Sequence, residues 1–132
     1  MAGRIQLHRW FAIAAALILV ATAGIHGSGY TSVSAAVAAS SVNPALGPSL
    51  RAVWLMISFH LVILAAVAVV ASGVRGGKAI VLACALLPAV DTIILFRSVG
   101  VFIGTVNLGA AAILLVASGL LHPADRGAGG GA

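Results

Sequence analysis

Charge is nearly missing from this chain. Only 7% of its 132 residues are Asp, Glu, Lys or Arg; glutamate is absent, and Asp91 and Asp125 are the only acidic residues. So little charge, beside 62% hydrophobic residues and a mean hydropathy of +1.22, lies outside the range of a soluble domain. A single cysteine, Cys84, excludes an intramolecular disulfide and leaves the redox compartment unread. HExxH, paired CxxC and Cys-His-Cys spacings are all missing, which removes the ligand sets of zinc hydrolases. Ser28 and Ser58 stand in no nucleophile elbow, so a serine triad has no basis. There is no basic run and no aromatic platform, and the net charge of +5 is therefore no argument for nucleic acid.

What the chain has instead is apolar length. The runs Trp10 to Ile25, Ala52 to Ala71, Ala79 to Phe96 and Val99 to Leu121 meet the roughly 17 to 25 residues that a spanning helix needs. They predict an all-α polytopic membrane protein: a four-transmembrane-helix bundle in one domain, 1–123, with spans at 10–26, 51–72, 79–97 and 99–121. Arg4, Arg9, Arg75, Lys78 and Arg126 fall on one side of this layout, and only Arg51 and Arg97 on the other. Short cytoplasmic loops collect Lys and Arg, so both termini are expected in the cytoplasm, near anionic lipid. Arg4, Arg9, the first run and Ala21-Thr22-Ala23 also fit a signal peptide, but the run is long and the cleavage site sits inside it, which favours a retained span. The long connection, 27–50, is rich in Ser, Ala, Gly and Pro and faces outside under this topology; Ser32 to Ser41 can form a short helix on the bilayer surface or serve as a plain connector. The tail 124–132 reads as disordered.

Polar groups are expected to gather in the outer half of the bundle. His26 closes the first span; Arg51, Trp54 and Ser58 occupy successive turns of the second. His60 lies about 13 Å inward from Arg51, and Asp91 roughly 9 Å below Arg97, at 1.5 Å of rise per residue. Asn107 lies at a comparable depth on the fourth span, on a small-residue strip with Gly100, Gly104 and Ala111. The inner halves carry little beyond Cys84 and Ser118. A polar cavity open to the outside follows as an expectation. A carboxylate at the depth of Asp91 is costly enough to need a partner or a ligand. Pro88 leaves the carbonyl of Cys84 bare on the same helix face, where a kink is expected.

Asp91 and His60 are accordingly the candidate acid and base, and His26, Arg51, Trp54, Ser58, Asn107 and Arg97 the candidate ligand-binding groups. Each has a plainer role: interfacial anchoring for Arg51 and Trp54, helix-to-helix hydrogen bonding for His60 and Asn107, and a locking pair for Asp91. His60 is about half a turn round from Arg51 at 100° per residue, so the Arg51 stripe and His60 are not expected to point into one cavity together. His26 and His60 could ligate a haem axially or share a metal with Asp91, but they differ in depth by more than a turn and the signal is weak; nothing in the residues names a cofactor.

In length, in its four-span layout and in the pattern Leu87-Pro88-x-x-Asp91 followed by Gly100, the chain resembles small DoxX-like membrane proteins over all four spans. The resemblance implies a bacterial inner-membrane protein, with some relatives serving as quinone-linked membrane subunits, and carries over no functional residue. The leading expectation is a binding or accessory role toward a small amphipathic molecule such as a quinone, isoprenoid or lipid. An enzyme using Asp91 and His60 on a lipid-soluble substrate is the first alternative, an isomerase or cyclase in type. A structural subunit, assembling with itself or another membrane protein through small-residue faces, is the second.

Overall fold

The structure, a computed structural model, describes residues 2–123, with side chains from Leu7 onward. The tail 124–132, and Arg126 with it, lies outside the described residues. The elements are five helices: α1 (Ala2–Ser28), α2 (Tyr30–Ala39), α3 (Gly47–Gly73), α4 (Lys78–Ser98) and α5 (Ile103–Leu121). Taking α1 and α2 as one run, four helices are long and apolar enough to cross a membrane. The chain is an all-α four-transmembrane-helix bundle.

Boundaries depart from the expected spans where local chemistry starts or stops a helix. Helix α1 begins before Trp10, because Gln6, His8 and Arg9 are no bar to helix formation even where hydropathy is low. Part of the 27–50 connection is helical: α2 follows α1 after a one-residue break at Gly29 and packs back on the start of α3, where a Cβ on Gly47 would lie 3.5 Å from Val37 Cγ1. Pro48 falls in the first turn of α3, where its missing N–H costs nothing. The fourth span begins at Ile103 rather than Val99. Gly100 takes φ +94°, which ends α4, and Phe102 is extended at φ −149°. Thr105 Oγ1 accepts the Phe102 N–H at 2.9 Å and donates to the Phe102 carbonyl at 2.7 Å, fixing the new helix start.

Small residues line the interior. On α1 the inward stripe is His8, Ala12, Ala15, Leu19 and Thr22; on α3 it is Leu61, Ala65, Ala68 and Ser72. Helix α5 buries Thr105, Leu108, Ala112, Leu115 and Gly119, alternating steps of three and four residues that make a straight seam along a bundle helix. Most large side chains point outward, Leu17 at 67% and Ile113 at 71% exposure among them, and only a few such as Leu19 and Leu115 are fully buried. This inversion suits a lipid solvent. Burying apolar area gains nothing between lipid-solvated helices, so close van der Waals contact through small residues takes its place.

Helix α1 packs extensively on both α3 and α5, and α5 on α4. The ring order is α3, α1, α5, α4, and the α3–α4 seam that closes it is the loosest of the four. One end of the bundle carries the tight turn from Val74 to Gly77 (the turn face); the other carries α2 and the break between α4 and α5 (the loop face).

Candidate functional site

At the loop face α1 and α3 interlock through His26 and Trp54. The His26 Nε2–H donates to the Trp54 carbonyl at 3.1 Å, and the Trp54 indole N–H donates to the His26 carbonyl at 2.9 Å. The rings stack at 4.0 Å with 15° between planes. Ser58 joins the cluster: a Cβ on Gly27 would lie 3.5 Å from its Oγ. That hydroxyl is buried with no partner. A helical serine ordinarily bonds the carbonyl four residues back, here that of Trp54, which His26 already occupies.

The α1–α5 seam holds Asn107. Its Nδ2 donates to Thr22 Oγ1 at 3.2 Å, and Thr22 Oγ1 donates to the Ile18 carbonyl at 2.8 Å. Asn107 is thereby a helix-to-helix hydrogen bonder with its donor engaged.

Asp91 on α4 and His60 on α3 belong to the two helices of the loose α3–α4 seam. Asp91 is half-buried and His60 is exposed. Among the described residues neither side chain makes a hydrogen bond or an ion pair. Pro88 is buried inside α4 one turn earlier; Thr92 Oγ1 donates to its carbonyl at 2.6 Å. Arg51 is partly buried in the first turns of α3, and Arg97 is exposed in the last turn of α4. The eight predicted residues are thus spread over three seams and two helix ends, Arg51 partly buried at one and Arg97 exposed at the other. The stripe of Trp54 and Ser58 faces α1 while His60 faces away from it, as their angular separation requires.

Nearer the turn face, an apolar cleft of about 310 Å³ is lined by Ala66, Val67, Val70, Ala71 and Val74 of α3 with Ile80 of α4. It follows from the loose packing of that seam.

Polar groups are not confined to the loop face. At the turn face His8 and His122 are buried side by side, with ring centroids 4.9 Å apart and planes tilted by 59°. His8 Nε2 lies 3.0 Å from the Ser72 carbonyl, Ser118 Oγ donates to the His8 carbonyl at 2.7 Å, and Ser72 Oγ donates to the Val69 carbonyl at 2.7 Å. Three helices meet here. Sequence reasoning passed over this group because His8 and His122 stand at opposite ends of the chain, outside the apolar runs. The available signal is the spacing His8, Ala12, Ala15, Leu19, which puts His8 on the same small-residue stripe as the buried core of α1.

No family model, curated protein or solved structure matches this chain.

Proposed function

We propose that the chain binds a small amphipathic molecule, of quinone, isoprenoid or lipid class, in the seam between α3 and α4, as a binding or accessory protein of a bacterial inner membrane. The observation that carries the reading is Asp91, a half-buried carboxylate within a spanning helix with no bonded partner among the described residues. An ionised carboxylate at a helix centre costs about 2.5–3.5 kcal/mol on insertion scales, so an occupant that bonds it is favoured.

The helix faces support the same occupant. On α3, His60, Val67, Ala71 and Val74 recur at i, i+7, i+11 and i+14; on α4, Ile80, Cys84, Leu87 and Asp91 recur at i, i+4, i+7 and i+11. Each polar group therefore shares a face with residues lining the apolar cleft. Asp91 lies about 16 Å along α4 from Ile80, and His60 about 10 Å along α3 from Val67. A polar head held by imidazole and carboxylate, with an apolar tail running toward the turn face, fits that spacing. The cleft volume of about 310 Å³ is at the lower end of ligand sites and suits a single chain rather than a bulky ring system.

The excess of Arg9, Arg75 and Lys78 at the turn face over Arg51 and Arg97 at the loop face supports cytoplasmic termini. The resemblance to DoxX-like proteins rests on length, the four-span layout and the Leu87-Pro88-x-x-Asp91 then Gly100 pattern alone.

Native mass spectrometry with lipid extraction tests the reading on wild type and Asp91→Asn, both purified in detergent. A specific amphipathic molecule retained by wild type and lost from the folded variant is the expected result. Bulk phospholipid alone on both proteins would remove the ligand-binding reading and leave Asp91 a structural group.

A further inference from the structure

We propose that His8 and His122 form a transition-metal site at the turn face, taking copper most tightly and zinc less so. The tautomers carry the argument. A carbonyl only accepts, so the bond from His8 Nε2 to the Ser72 carbonyl at 3.0 Å puts the ring proton on Nε2 and a lone pair on Nδ1. In the same way His122 Nδ1, 3.3 Å from the Pro123 carbonyl, carries the proton and leaves a lone pair on Nε2. Those two nitrogens, His8 Nδ1 and His122 Nε2, are both buried with no hydrogen-bond partner. The residues themselves are 3% and 7% exposed, so water does not supply the missing donor freely. A neutral imidazole whose N–H is anchored on a backbone carbonyl, with its other nitrogen bare, is the form in which histidine ligates a metal.

The ring geometry agrees. A cation about 2.0–2.1 Å from each ligating nitrogen sits about 3.2 Å from each ring centroid, and two such rings 90–110° apart at the metal have centroids about 5 Å apart. The observed centroid separation is 4.9 Å, the spacing that two imidazoles sharing one cation require. The rings are also held independently. Ser118 Oγ fixes the backbone of His8 to α5, and Ser72 belongs to α3, so the site forms only when α1, α3 and α5 are assembled.

The donor set selects the metal. Among the described residues no third His, Cys, Asp or Glu joins the pair, so two imidazoles are the donor set these residues supply. Magnesium and calcium require several oxygen ligands and are excluded. With only two imidazoles the natural order of affinities decides, and copper stands at its top with zinc below. The site lies at the opposite end of the bundle from Asp91 and does not depend on the ligand proposed there.

The test titrates the tag-free full chain in detergent with Cu²⁺ and Zn²⁺ against a competing chelator, with electron paramagnetic resonance reporting nitrogen ligation of copper. One equivalent is expected to bind, with affinity falling at least tenfold in His8→Gln and in His122→Gln and staying within twofold in His26→Gln and His60→Gln. Glutamine at position 8 keeps an N–H for the Ser72 carbonyl, so folding is expected to survive; helical circular dichroism and gel filtration check it. If His8→Gln fails to fold, His122→Gln decides, because that ring bonds only its own neighbour Pro123. Wild-type affinity in a folded His122→Gln protein, the absence of saturable binding, or loss of binding in His60→Gln instead would each overturn the proposal.

Discussion

Trp54 combines two kinds of contact at one point of the α1–α3 seam: its ring stacks on His26, and its indole N–H closes a hydrogen bond to the His26 carbonyl. The ring also sits so close to α1 that a Cβ on Gly29 would lie 3.2 Å from its Cζ2. Trp54→Phe keeps a stacking ring and loses the N–H, whose carbonyl partner retains the Gly29 N–H at 3.1 Å. Hydrogen bonds between membrane helices average about 0.6 kcal/mol and reach about 1.7 kcal/mol. Trp54→Phe is therefore expected to cost about 0.6–1.7 kcal/mol in detergent unfolding, and Trp54→Ala, which also removes the ring stacked on His26, more than that. Equal losses would mean that stacking contributes nothing. The Asn107–Thr22 bond belongs to the same class: a double-mutant cycle of Asn107→Leu with Thr22→Val is expected to give a coupling of about 0.6 kcal/mol, and zero coupling would show the contact to be incidental. Residue types of this kind were legible in the sequence, since a histidine, a tryptophan and an asparagine inside apolar runs are conspicuous. Their partners were not, because pairing depends on how each helix is rotated about its axis.

At the scale of the helices the same limit has a physical cause. Hydrophobic spans that are apolar on every side carry no amphipathic signal, so hydropathy gives their number and length without saying which face turns inward. Residue size gives the face instead, as Ala65, Ala68 and Ser72 on α3 and Ala112 and Gly119 on α5 illustrate. The start of α5 escaped for a different reason: Val99 to Phe102 is apolar, and only the positive φ of Gly100 and the Thr105 cap remove it from the helix. Gly119 tests the packing rule directly. A Cβ there would fall 2.5 Å from Leu82 Cδ2 and 2.6 Å from its Cγ, so α4 and α5 approach each other across a glycine. Gly119→Val is expected to destabilise the bundle by about 1–3 kcal/mol through overpacking. Leu82→Ala, which clears that space, is expected to restore most of the loss in the double variant. Additive losses from the two changes would show that the α4–α5 contact is not made through this pair.

For the whole molecule, the distribution of charge and the ring of helices fix which faces can meet which solvent. Arg9, Arg75 and Lys78 crowd the turn face, and His8 and His26 stand at the two ends of one α1 stripe, about 27 Å apart at 1.5 Å per residue. That separation is close to the roughly 30 Å of a hydrocarbon core, with His8 toward the basic end. Under the positive-inside rule the turn face is expected in the cytoplasm and α2 outside. Cysteine accessibility reads this orientation without disturbing the charges. Cys84 is buried within α4 and is expected to stay silent toward a membrane-impermeant maleimide. Val74→Cys places an exposed thiol in the tight turn, and Ser41→Cys places one in the exposed segment after α2. With intact spheroplasts, Ser41→Cys is expected to label and Val74→Cys only after lysis. The reverse pattern would invert the bundle, put the His8–His122 pair on the outer side, and turn the Asp91 end of the α3–α4 seam toward the cytoplasm. Labelling of both thiols in intact spheroplasts would contradict a fixed four-span insertion.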